Sequence, residues 1–134
     1  MRERITVRTN ARETMVDITD LVRDVVASAG VDDGVIVLFS LHTTCSLTVN
    51  EGFDPDVIRD MTGFMRRLVP QEAGFRHAEG NSDAHIKVSM FGPSLTLIIE
   101  DGGLLLGRWQ RIFLCEFDGP RPRSLAVSIL PAGS

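Results

Sequence analysis

Apolar positions along this chain follow two periods, and the switches between them mark out the elements. Residues 3 to 8 and 13 to 18 alternate apolar with polar, which predicts one strand carrying Ile5 and Val7 and another carrying Met15, Val16 and Ile18. Thr9, Asn10 and Ala11 between them predict a hairpin turn. From Thr19 the period lengthens. Leu21, Val22, Val25, Val26 and Ala29 share one helix face, with Asp20 in the first turn and Gly30 placed to end it. Gly34 opens VIVLFSL, a run that predicts a central strand buried on both faces. The two-residue period returns in SLTVN: Cys45, Leu47 and Val49 point to the core, Thr44, Ser46, Thr48 and Asn50 to the other side. An unbroken strand would set His42 with Thr44 and Asn50.

Asp54 followed by Pro55 is a helix start, the side chain capping free amides and proline taking the first turn. Val57, Ile58, Met61, Phe64, Met65 and Leu68 then recur at helical spacing, predicting a core-facing stripe that ends at Val69 and Pro70. A third helix starts at Ser82 as its cap, with Asp83 in the first turn and His85 three residues on. Ile86, Val88, Met90 and Phe91 turn inward before Gly92 ends it. Beyond it, SLTLIIE, LLLGRWQ, RIFLCEFDGP and RSLAVSIL predict strands joined by tight turns. From Trp109, odd positions (Trp109, Phe113, Cys115, Phe117) face one side and Gln110, Ile112, Leu114 and Glu116 the other. Both sides are largely apolar. Glu116 is then either a buried carboxylate needing a cation, a metal or a hydrogen-bond donor, or the exposed end of a strand.

Composition narrows the class. With 134 residues, 43% hydrophobic and 24% charged, the chain fits one ordered domain over 1–134 whose core needs no disulfide. The net charge of -4 argues against a nucleic-acid-binding face. Arg121 and Arg123 are a local basic pair, read as solvated loop arginines. No apolar run reaches the length of a signal peptide or membrane span, which points to a cytoplasmic protein with no membrane partner. Cys45 and Cys115 lie in no CxxC or zinc spacing and read as reduced thiols.

Candidate chemistry concentrates in RHAEGNSDAHIK, residues 76 to 87. It holds two of the three histidines, His77 and His85, beside Glu79, Asn81, Ser82 and Asp83, with Gly80 free to turn the backbone. The third, His42, lies in a second polar knot, LHTTCSLTVNE, so the pattern predicts one site built from two segments. At a helix N-terminus His85 is expected to be neutral and free to act as a ligand. His42, His77 and His85, with Glu51, Asp83 or Glu116, could hold a divalent metal such as zinc, manganese or magnesium. The spacing of His77 and His85 matches no standard metal motif, and each histidine alone is equally readable as a hydrogen-bonded structural residue. A nucleophilic pair of Cys45 with His42 is disfavoured, because the two point to opposite faces.

LHTTCSLTVNE, the DPDV helix start, RHAEGNSDAHIK, FGPSLTLIIEDGGLLLGRWQ and RIFLCEFDGPR resemble, in order and spacing, the motifs of the YjbQ-like family, from about Ile5 to Ile129. That resemblance implies an α+β fold of mixed or antiparallel sheets packed with about three helices, a homotrimer, and a weak, secondary thiamine-phosphate synthase activity. The reaction joins a pyrimidine methyl diphosphate to a thiazole phosphate and releases pyrophosphate. By the resemblance His42, Thr43 and Thr44 match the family's HTT, and Asn50 and Glu51 its NE. His77, Glu79, Asn81, Ser82, Asp83 and His85 match its long motif, and Gln110, Glu116 and Asp118 the downstream one. On this reading His42, Glu51, Asp83, His85 and Glu116 are candidate catalytic residues. Thr43, Thr44, Asn50, Arg76, Asn81, Ser82, Lys87 and Gln110 would bind substrate, with Arg76, Lys87 and the amides at Ser82 receiving phosphate oxygens. Two alternatives use the same residues: a metal-dependent hydrolase of a small phosphorylated metabolite, and a non-catalytic trimer that binds a metal or small anion.

Overall fold

The computed structural model describes residues 1–133. Its elements are β1 (Arg2–Arg8), β2 (Thr14–Asp17), α1 (Thr19–Ala29), β3 (Gly34–Ser40), β4 (Cys45–Glu51), α2 (Pro55–Leu68), α3 (Ser82–Phe91), β5 (Ser94–Glu100), β6 (Gly103–Leu104), β7 (Gln110–Glu116) and β8 (Pro122–Pro131). They form an α+β fold with two antiparallel sheets, one ordered β1-β8-β3-β5-β6 and the other β2-β7-β4.

The two sheets face each other across one core. Ile36 and Leu38 of β3 and Leu125, Val127 and Ile129 of β8 meet Leu47 of β4 and Ile112 and Leu114 of β7. Val22, Val25 and Val26 of α1 complete that core, and Gly30 at φ 65 ends the helix in the left-handed conformation that glycine adopts without strain. Each such buried aliphatic side chain contributes about 1.5–3 kcal/mol. The other face of the smaller sheet carries Phe113, Cys115 and Phe117, covered by Ala84 and Val88 of α3. β7 is apolar on both faces because it lies between two cores.

Five expectations change. β1 and β2 are no hairpin: β1 pairs with β8 and β2 with β7, so residues 9 to 13 carry the chain from one sheet to the other. The crossover is fixed by Thr9 N donating to Arg121 O at 3.0 Å and by Gly119 N donating to Arg12 O at 3.0 Å. β3 is central but buried on one face only, since Phe39 is exposed and no helix covers that outer face among the described residues. α2 is capped as expected, Asp54 accepting from Asp56 N at 2.9 Å. Its stripe is not core: no α2 residue is fully buried, and Phe64 and Leu68 are 56% and 52% exposed. Helical period tells which face is apolar; it does not tell what covers that face. In α3, likewise, Val88 packs inward while Ile86 and Met90 are exposed, and the buried positions include Asp83 and Lys87. LLLGRWQ yields only the two-residue β6 before a turn into β7. No helix among the described residues is long and apolar enough to cross a membrane.

Candidate functional site

His42 stands on the bend where β3 leaves its sheet. Ser40 makes that bend, its Oγ accepting from His42 N at 3.3 Å and donating to Cys45 O at 3.0 Å. His42 therefore precedes β4 rather than sharing its polar face. Its Nε2 accepts a hydrogen bond from Ser124 N at 2.8 Å. Burial and the neighbouring Arg123 and Arg121 lower its pKa below the usual histidine value, against an opposing pull from Glu116.

His85 lies in the first turns of α3 and faces the same space. His42, Thr43 and Leu41 form one wall and His85, Val88 and Ser89 another, enclosing an open depression of about 590 Å³. His77, in the exposed segment before α3, stands edge-on to His85 with ring centroids 5.4 Å apart, its Nε2 3.7 Å from Glu79. Gly80 turns this segment at φ 71. The two polar knots thus meet through His42 and His85.

Behind His42 lies a buried ion pair. Glu116 and Arg123 are fully enclosed, and Arg123 reaches Glu116 through Nε at 2.8 Å and through Nη2. Glu116 also accepts from Thr9 Oγ1 at 2.6 Å and Asp118 N at 3.1 Å, and Arg123 donates to Thr44 Oγ1 at 2.8 Å. Burial pushes the Glu116 carboxyl up, but Arg123, Thr9 and the Asp118 amide outweigh it and hold the carboxyl below its ordinary value. Arg123 is therefore not a solvated loop arginine. Its parity with Leu125, Val127 and Ile129 on β8 was the signal that placed it inside.

A second buried cluster ties α3 to the crossover. Asp83 is bound by Arg12 at 3.0 and 3.2 Å and by Lys87 Nζ at 3.1 Å, and Lys87 also meets Glu13 at 3.3 Å. Desolvation raises the Asp83 pKa, yet the two cations pull it down further than burial lifts it. Lys87 is 1% exposed, so its ammonium is spent on carboxylates and presents no donor to a ligand in the depression. Asn81 rather than Ser82 occupies the N-cap of α3, and it caps no amide. It is buried, donating from Nδ2 to Asp118 at 2.8 Å.

The remaining candidates lie elsewhere. Glu51 pairs with Gln110 at the end of the β4 and β7 ladder opposite Cys45 and Glu116, about 20 Å away at ~3.3 Å per residue. There Asn50 Oδ1 accepts from Glu51 N at 2.8 Å, Glu51 Oε2 from Asp54 N at 3.2 Å, and Gln110 Oε1 from Gly107 N at 2.7 Å. Arg76 is exposed on the segment before α3. Among the described residues no three His, Cys, Asp or Glu side chains gather closely enough to hold a metal.

Residues 3–132 match the family model described as UPF0047 protein YjbQ-like. The chain belongs to the YjbQ-like family. A UPF0047 protein of Methanocaldococcus jannaschii is 48% identical to it, over 92% of this chain and 90% of that protein. The UPF0047 protein YugU of Bacillus subtilis is 40% identical, over 97% and 99%. Among solved structures, a YjbQ/UPF0047 family protein of Clostridium acetobutylicum superposes with a TM-score of 0.93 at 44% identity, covering 96% of this chain and 99% of that one. A YbjQ-like protein of unknown function from Sulfolobus solfataricus gives 0.94 at 30%, covering 98% and 97%. The YjbQ-like fold observed here is thus the one the motifs implied.

Proposed function

We propose that this YjbQ-like chain is an enzyme acting on a small phosphorylated metabolite in the depression shared by His42 and His85. The observation that carries this is the meeting of two histidines, from segments far apart in sequence, across one open cavity of suitable size. The reaction implied by the resemblance is the thiamine-phosphate synthase type. The thiazole nitrogen forms a bond to the pyrimidine methylene carbon as the carbon–oxygen bond to diphosphate breaks, and pyrophosphate leaves with the electron pair. Such a displacement asks the protein to align two substrates and place hydrogen-bond donors on the departing oxygens. His42 and His85 are the groups in position for that. Thr43 lines the same wall, and Arg76 is an exposed cation on the adjoining segment.

His42 Nε2 is taken by the Ser124 amide, and the described residues gather no three-ligand set. A divalent metal, whether zinc, manganese or magnesium, enters this proposal only as an ion accompanying the diphosphate, and no step runs through it. A cytoplasmic homotrimer also belongs to the proposal, with the uncovered face of the larger sheet, around Phe39, Ile98 and Leu130, as the surface between copies; concentration-independent monomers in sedimentation would exclude it.

Mass spectrometry of purified protein with both substrates tests the reaction. Coupled product should form, and His42→Ala and His85→Ala should each lower turnover by at least about 100-fold. Unchanged turnover in both would remove these residues from the chemistry. Pyrimidine alcohol formed without thiazole phosphate would replace the transferase with a hydrolase, and saturable binding without product would replace both with a binder.

A further inference from the structure

Where the β3 and β8 ladder ends, one backbone amide has no strand to bond. Pairing runs to Ser40 and Leu125. There β3 bends away, and Ser124 N–H donates instead to His42 Nε2 at 2.8 Å. A backbone N–H can only donate, so Nε2 must carry a lone pair and the proton of the neutral ring lies on Nδ1. Nδ1 has no protein partner among the described residues. The two ring nitrogens point in different directions, so fixing Nε2 on β8 leaves Nδ1–H as the ring's uncommitted donor, on a residue that lines the depression.

Ser124 is held in place through its neighbour. Arg123, 2% exposed, turns inward and joins Glu116 of β7 and Thr44 at the entry to β4, while Thr9 at the end of β1 closes on the same carboxylate. Four chain segments therefore converge one residue from the amide that grips His42. Enclosing a full ion pair is no route to stability by itself, since an apolar pair of similar volume packs about as well or better. A pair that fixes geometry has a different use.

We propose that Arg123 and Glu116 are positioning residues for His42, locking the start of β8 so that the Ser124 amide holds Nε2 and Nδ1–H is presented as a hydrogen-bond donor to an anionic oxygen of the ligand. This rests on reading the depression as the ligand site. It assigns His42 the role of donor rather than general base, and it adds Arg123 to a site in which sequence motifs placed only Glu116.

Long-range 1H–15N correlation spectra of the three histidines test it, because protonated and bare ring nitrogens resonate far apart. Wild-type His42 should show a protonated Nδ1 and a bare Nε2. In the double variant Arg123→Met with Glu116→Gln, which leaves no unpaired buried charge, that preference should give way to a mixture of the two tautomers. Thr44→Val, a milder change that removes one anchor of Arg123, should give an intermediate ratio. A wild-type His42 protonated on Nε2 overturns the proposal, as does a folded double variant, or a folded Thr44→Val protein, whose tautomer is unchanged. Inorganic pyrophosphate added to the same wild-type sample tests the underlying reading separately: a shift at His42 Nδ1 supports both, and histidine signals that never move sink the phosphorylated ligand while the tautomer still decides the positioning. Where pyrophosphate binds, the double variant should bind it about ten-fold more weakly, the equivalent of one charge-assisted hydrogen bond.

Discussion

Two buried charge clusters lie close together in this molecule, one built on Glu116 and Arg123 and the other on Asp83, Lys87, Arg12 and Glu13. Each is built on a fully enclosed carboxylate, Glu116 bound by one cation and Asp83 by two. They differ in what they touch. The first ends at the amide that grips His42, at the wall of the depression. The second joins α3 to the β1 to β2 crossover and reaches the surface through Arg12 and Arg66. A buried acid is therefore no guide to a site by itself; what its partners adjoin is.

Removing one cation from each cluster should separate the two most. Arg123→Met strands Glu116 with hydroxyl and amide donors only, and should cost about 3–5 kcal/mol of unfolding free energy in denaturant titrations. Lys87→Met leaves Asp83 its two bonds to Arg12, so the loss should be nearer 1–3 kcal/mol. Equal losses would mean that the clusters do the same work.

Acid should affect both clusters. Glu116 and Asp83 have folded-state pKa values below their ordinary 4.5 and 3.8. The unfolded chain therefore binds protons first as pH falls, and stability present above about pH 4.5 should drain away as the pH drops through those lowered values. Glu116→Gln should flatten that slope in thermal melts taken across the acid range, and a slope equal to the wild type's would mean that folding does not lower the Glu116 pKa. Arg66→Ala should have the smallest effect. Its partner Glu13 keeps Arg12 and Lys87, and Arg66 is exposed, so the same melts should detect a change of about 0–1 kcal/mol.

Much of the architecture was legible because burial follows parity. The two-sided parity of β7, the cap at Asp54 and the stop at Gly30 are local properties that tertiary structure had no reason to override. The hairpin at residues 9 to 11 failed for the opposite reason: Thr9 looks like a turn residue, but its hydroxyl is bound by partners more than a hundred positions away. The α2 stripe failed because amphipathicity does not name a partner. In the site, the convergence of His42 with His85 was legible from where the histidines fall. The retirement of Lys87 into an ion pair was not, because Arg12 and Glu13 lie in a segment that reads as a strand start. Asn50, Glu51 and Gln110 share one end of a ladder, and nothing in their spacing tells that it is the end away from Glu116.

The central claim is that ligand binds at His42 and that the cluster behind α3 takes no part. Calorimetric titration of inorganic pyrophosphate into wild type, His42→Ala and Lys87→Met tests it most directly. Wild type and Lys87→Met should bind alike, and His42→Ala should bind at least about ten-fold more weakly. Binding that survives in His42→Ala and disappears in a folded Lys87→Met protein would contradict the account.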